Sequence, residues 1–152
     1  MKLTDLQYYL DTELRRSEIA DYGNALNGLQ MENRSGEVTR IIAAVDACLP
    51  VMRKAAALRG DLLLVHHGMY WSGLQTCTGS VFEKTLLCIE SDLAVYSAHL
   101  PLDVHPVFGN NVLLARALDI PVTGNWHEYK GTAVGLICES EVPLSNLVER
   151  TK

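Results

Sequence analysis

The feature that most narrows the fold is a rhythm of short, densely apolar runs separated by helix-length amphipathic segments. Arg40 to Ala47 (RIIAAVDA), Asp61 to Val65 (DLLLV) and Leu93 to Ala98 (LAVYSA) are strand-length and nearly continuous in apolar residues. That pattern predicts strands buried on both faces. Between the first two, Pro50 to Leu58 reads as a helix, with proline in its first turn and Gly60 just past its end. Between the second and third, Ser80 to Ile89 reads as another, opened by a Ser80/Glu83 capping box and presenting Phe82, Leu86 and Ile89 on one face. Asn111 to Leu118 supplies a third helix. Strands and helices in alternation imply an α/β fold, a mostly parallel sheet with helices on its faces.

The flanking regions are less regular. At the N-terminus, Thr4 and Gln7 form a capping-box pattern, and Leu3, Leu6, Leu10 and Leu14 recur at a helical interval. Asp21 to Gly36, rich in glycine and asparagine, reads as a structured loop. After Pro121 the rhythm loosens, although Thr132 to Cys138 (TAVGLIC) looks like a strand and Pro143 to Arg150 like a helix just begun. The expected division is an α/β lobe over residues 1–120, with residues 121–152 opening an incomplete second lobe or a linking region.

Composition excludes several classes of function. A hydrophobic fraction of 48% with 20% charged residues is that of a chain that buries a core. The net charge of −5 and the absence of any Lys/Arg cluster leave no electrostatic footprint for nucleic acid. Asp5, Asp11 and Glu13 interrupt the stretch a signal peptide needs, and no apolar run is long enough to span a bilayer. None of Cys48, Cys77, Cys88 and Cys138 lies in a C-x-x-C pair, and three sit in apolar surroundings. They read as small buried thiols of a reducing compartment, and the expected location is the cytoplasm.

Ligands of an open parallel sheet collect at the carboxyl ends of its strands, and here those ends are polar. The first offers Asp46, the second His66-His67-Gly68, and the third His99 followed by Asp103 and His105. Where a strand gives way to a loop, neighbouring imidazoles can both swing over the sheet edge, and a carboxylate from the next crossover can close a metal site. Nitrogen and oxygen donors of this kind suit zinc, manganese, iron and related divalent ions. His66, His67 and Asp103 are the expected ligands. His99 and His105 are candidates for ligation or for orienting a ligand, and Asp46 for a supporting role. Tyr70 and Trp71 fit rim or core packing better than stacking on a ligand, and His127-Glu128 should face solvent. No G-x-S-x-G elbow and no glycine-rich phosphate fingerprint occur.

Three segments, DYGNALNGLQ, DLLLVHHGMYW and YSAHLPLDVHPVFGNNVLLARAL, closely resemble the Nif-three-like family of dinuclear metal-centre proteins, also described as type 2 homologues of GTP cyclohydrolase I. The likeness runs from Leu3 to about Leu118 and continues more loosely to the end. It implies a fold of two similar α/β lobes, of which this chain holds the first, assembled as a toroidal homo-hexamer with metal sites facing an internal cavity. It also implies two divalent metal ions per full-length chain, with the V-H-H-G ligands on His66 and His67 and the H-L-P-L-D ligand on Asp103. The family completes its site with a late His-x-x-x-Glu segment, and none follows Asp103 here: the residues four after His105 and His127 are Gly109 and Gly131. The expectation is therefore a metal-dependent hydrolase-type protein acting on a nucleotide or other phosphorylated small molecule, truncated and impaired, holding a single ion. The alternative is a non-catalytic, metal-dependent binding or regulatory protein.

Overall fold

A computed structural model describes residues 1–151, which divide into two compact units, Met1–His99 and the residues from Leu100 onward. In the first unit, α1 (Leu3–Glu13), β1 (Gly28–Met31), β2 (Ile41–Asp46), α2 (Leu49–Ala57), β3 (Leu62–His67), α3 (Gly79–Ser91) and β4 (Ala94–Ser97) follow in order. The four strands form one sheet in the order β1-β4-β3-β2. β2, β3 and β4 run parallel, as the alternating pattern requires, whereas β1 is antiparallel to β4. The fold is thus α/β with a mixed sheet.

Helices α2 and α3 close one face of this sheet. Met52, Ala55, Leu63, Val65, Cys88, Leu93 and Val95 form the buried core between them. Full burial of a side chain such as Leu63 contributes about 2–3 kcal/mol by area. On α1, Leu3 and Leu6 are buried, as is Leu14 at its carboxyl end. The hydroxyl of buried Tyr96 in β4 donates to Asp11 Oδ1 at 2.7 Å, so α1 is pinned to the sheet. Burial pushes the Tyr96 phenol above its ordinary range, and the Asp11 bond adds to the effect.

Several local expectations are corrected. Strand β2 is an edge strand, not one buried on both faces: Ile41 is 47% and Val45 63% exposed. Neither capping box forms. The N-cap of α1 is Lys2 and that of α3 is Thr78, with no side-chain cap in either case, and Glu83 pairs instead with Arg53 at 2.8 Å. Helix α3 does not bury Phe82, Leu86 and Ile89, which are exposed; it turns Leu87 and Cys88 to the core. The apolar stripe read from the sequence was one of two, and the sheet chose the other. Of the cysteines only Cys88 is buried, its thiol pushed up to about 11 by burial, while Cys48, Cys77 and Cys138 are exposed. The region read as loop, Asp21 to Gly36, contains strand β1.

The amino ends of β2 and β3 are held together by a carboxylate. Asp61 accepts hydrogen bonds from the Thr39 backbone N–H and hydroxyl at 2.8 and 2.7 Å and from the Arg40 N–H at 2.8 Å. The Thr39 hydroxyl, then the Thr39 N–H, hold its pKa below the ordinary carboxylate value. A carboxyl depressed on folding stabilises the protein fully above its unfolded pKa, and that contribution fades as pH falls through the folded one. Asp61→Asn is expected to lower stability at neutral pH and to flatten the acid limb below about pH 4, the unfolded carboxylate range. Denaturant midpoints measured from pH 6 to 2 check this; parallel curves for both proteins would contradict it.

The second unit contains α4 (Leu100–Asp103), α5 (Asn110–Ala117), β5 (Val122–Tyr129), β6 (Thr132–Cys138) and α6 (Leu144–Arg150). Strands β5 and β6 form a hairpin whose last pair is Tyr129 with Thr132. Lys130 and Gly131 between them both have positive φ, 47° and 82°, as two-residue hairpin turns require. The sequence reading missed β5, because exposed Thr123, Asn125 and His127 interrupt its apolar pattern. Among the described residues no helix is long and apolar enough to cross a membrane.

Candidate metal centre

Parallel pairing places the carboxyl ends of the central strands side by side. Asp46, the last residue of β2, lies opposite His67, the last residue of β3, and Val65 lies opposite Ser97 at the end of β4. Because β1 runs antiparallel, its amino end, Gly28 opposite Ser97, comes to the same edge and brings the preceding loop with it. His66, His67 and His99 converge there, and one ligand-capable atom from each lies within 4.8 Å of the other two. Their ring centroids are 4.6 Å (His66–His67), 4.7 Å (His66–His99) and 5.5 Å (His67–His99) apart.

Each imidazole is oriented through Nδ1. His66 Nδ1 is 3.0 Å from the Ala98 carbonyl oxygen, His67 Nδ1 is 2.7 Å from Asp46 Oδ1, and His99 Nδ1 is 3.0 and 3.1 Å from the two oxygens of Asp21. Carbonyl and carboxylate oxygens only accept, so these contacts call for a proton on Nδ1 of each ring, which in a neutral imidazole leaves the lone pair on Nε2. This is the tautomer that a metal-ligating histidine needs, with its other nitrogen donating to an oxygen that fixes the ring. Three imidazole nitrogen donors at such separations fit a divalent ion, since zinc–nitrogen bonds of about 2.0–2.1 Å need only small ring movements from here.

The loop before β1 supports His99 most closely. Asp21 also accepts from the Asn27 amide at 2.7 Å, and the Asn27 oxygen accepts the His99 backbone N–H at 2.7 Å. The Gln30 amide fastens the loop to the turn after β3: its oxygen accepts from the Met69 N–H at 2.7 Å, and its nitrogen donates to the carbonyls of Ala25 and Leu26 at 3.2 and 3.0 Å. The sequence reading assigned no role to Asp21, Asn27 or Gln30. Their only signal was the density of amide and acidic groups in DYGNALNGLQ. Trp71, expected in rim or core packing, lies against the imidazoles, with centroids 4.6 Å from His67 and 4.5 Å from His99.

The other candidates lie in the second unit. Asp103 ends α4, and its Oδ1 accepts from the Asn110 amide at 2.7 Å. His105 is buried and stacked on Phe108 at 5.0 Å, and its Nδ1 accepts the backbone N–H groups of Val107 and Phe108 at 3.2 and 3.0 Å. Its neutral ring therefore carries the proton on Nε2, the reverse of the three clustered histidines, and its observed work is to hold the turn before α5. His127 is exposed on β5.

Known proteins resemble this chain in sequence and in fold. A family model described as Duf34/NIF3 (NGG1p interacting factor 3) matches residues 1–152. A protein of Pyrococcus abyssi named GTP cyclohydrolase 1 type 2 homolog is 41% identical over 143 residues, covering 94% of this chain and 56% of the relative. One of the same name from Treponema pallidum is 33% identical over 153 residues, covering 99% and 54%. The crystal structure of TTHA1606 from Thermus thermophilus superposes with a TM-score of 0.86 at 32% identity, over 99% of this chain and 60% of that one. The chain thus spans about half the length of the curated relatives it matches.

Proposed function

This chain belongs to the Duf34/NIF3 (NGG1p interacting factor 3) family, and we propose that it is a divalent-metal protein of hydrolase type acting on a nucleotide or another phosphorylated small molecule. The observation that carries the reading is the convergence of His66, His67 and His99 into one cluster, with Nδ1 of each ring engaged by an oxygen. In this reading His66 and His67 are ligands, His99 is a third nitrogen donor, and Asp103 is the carboxylate ligand. The Asp103 assignment rests on the H-L-P-L-D motif. A divalent cation held there supplies Lewis acidity to a phosphoryl or carbonyl oxygen. The chain's own contribution is orientation: Asp46 and Asp21 hold the rings of His67 and His99, and the Ala98 carbonyl holds that of His66. The nitrogen-rich donor set favours zinc, iron or manganese over magnesium and calcium. Assembly as a homo-oligomer belongs to the same proposal.

The relatives' name, GTP cyclohydrolase 1 type 2 homolog, puts GTP first on the substrate panel. We expect turnover of at least one nucleotide or phosphate ester that is stimulated by zinc, manganese or iron, abolished by a chelator, and reduced roughly tenfold or more in Asp103→Asn, in line with the loss of a group that acts on the transition state. Metal binding without turnover across the panel would replace the hydrolase with the non-catalytic, metal-dependent binding protein.

A further inference from the structure

Beside His67 the first unit contains a second feature, a cavity that adjoins the metal cluster and adds residues the cluster does not use. The cavity, of about 210 Å³, is lined by Asp46, Cys48, His67, Trp71, Ser72 and Lys84, among others. It is smaller than the roughly 300 Å³ or more that encloses a whole small ligand, and suits one end of one. Lys84 projects from α3, is half-buried, and makes no hydrogen bond or ion pair among the described residues. Ser72 likewise has no hydrogen-bond partner among them. The one carboxylate lining the cavity, Asp46, has its Oδ1 engaged by His67.

A lysine without a partner is ordinary when it reaches into water from an exposed face. Lys84 differs in being half-buried on α3, one turn before buried Cys88, where its side chain lines a concave wall shared with a metal-cluster histidine. A cation there is drawn toward an anion, and a hydroxyl lining the same cavity can add a hydrogen bond to it. Oxyanions, phosphate above all, supply both the charge and the acceptor, and lysine binds them as a compact point charge.

We propose that Lys84 and Ser72 form the subsite for a phosphate group of the substrate, with the adjoining part of the molecule passing His67 toward the histidine cluster. This rests on the metal-protein reading above and deepens it: the substrate is a phosphorylated small molecule whose phosphate is gripped away from the imidazoles. The roles separate cleanly. Lys84 sets affinity for the phosphate, and the histidines set affinity for metal.

The test uses metal-free protein, so that phosphate has no cation to bind. Titration calorimetry with inorganic phosphate and with phenyl phosphate is run on the wild type, Lys84→Met, Lys84→Arg and, as a control at an exposed lysine, Lys54→Met. The expected result is saturable, mutually competitive binding of both probes to the wild type, weakened about tenfold or more by Lys84→Met, largely restored by Lys84→Arg and unchanged in Lys54→Met. Equal binding by Lys84→Met, or no saturable binding to the wild type, would overturn the subsite. So would binding of inorganic phosphate with exclusion of the ester, since a substrate's phosphate is substituted. Elemental analysis of the metal-loaded proteins runs in parallel. Lys84→Met should retain the wild-type metal content, and a wild type without metal would sink the metal reading while leaving the phosphate result to stand or fall alone.

Discussion

Replacing His66 and His67 together by alanine is expected to strip the protein of divalent metal that the wild type retains, the largest single effect we foresee. The double variant loses two of the three nitrogen donors and leaves His99 with only the proposed carboxylate ligand, Asp103. The scale can be set from the supporting residues. Removing an oxygen that orients a ligating histidine typically costs about 10–100-fold in metal affinity, so Asp46→Asn should weaken binding by about that much and loss of two ligands by far more. Because only the folded chain presents the cluster, metal at about a hundred times its dissociation constant should add roughly 2.7 kcal/mol to stability. Elemental analysis after dialysis, paired with thermal melts with and without zinc, reads both quantities. Metal content and zinc-induced stabilisation equal to wild type in the double variant would defeat the site.

The second large effect concerns Gly68, which follows the histidine pair. A Cβ at this position would overlap the Gln30 amide. Far ends of long side chains usually step aside, but this amide makes three hydrogen bonds, to the Met69 N–H and to the carbonyls of Ala25 and Leu26. Gly68→Ala must therefore expel an amide that ties the turn after β3 to the loop carrying Asp21 and Asn27. At about 1 kcal/mol net for each bond, the loss is about 2–3 kcal/mol, or roughly 5–10 °C in Tm for a chain of this size. His99 loses its supports in the same event, so metal affinity should fall although no ligand is altered. Gln30→Ala in the Gly68→Ala background makes room for the methyl group, and the two changes together should cost less than their sum. Strict additivity would show that Gly68 is needed for some other reason.

The same residues show where sequence reasoning reached and where it stopped. Strands β2, β3 and β4 and helices α2, α3 and α5 were legible within a residue or two, because strand-length apolar runs alternating with amphipathic segments admit few packings. The histidines at the strand ends were legible for the same reason: once a strand is placed, so is its carboxyl edge. Strand β1 was not, since GLQM is four residues long and embedded among turn-formers. Its hydrogen bonds go to β4, more than sixty positions away in the chain, and no local pattern reports them. The exposed stripe of α3 failed differently. Phe82, Leu86 and Ile89 have helical spacing as good as that of the residues that are buried, and local periodicity carries no information about which stripe meets the sheet.

What the amino-acid sequence determined by itself is the class of fold, the edge on which polar groups gather, and the pair His66-His67, since these follow from short-range periodicity and the geometry of single strands. The tertiary structure decided the rest. The antiparallel course of β1 brings Asp21 and Asn27 to His99, parallel register sets Asp46 beside His67, and Nδ1 of each of the three imidazoles is set against an oxygen. A hydrogen bond between residues 78 apart, such as His99 to Asp21, is a property of the closed chain. Donor identity is written residue by residue, but which nitrogen is left to bind a metal is settled only when the partners arrive.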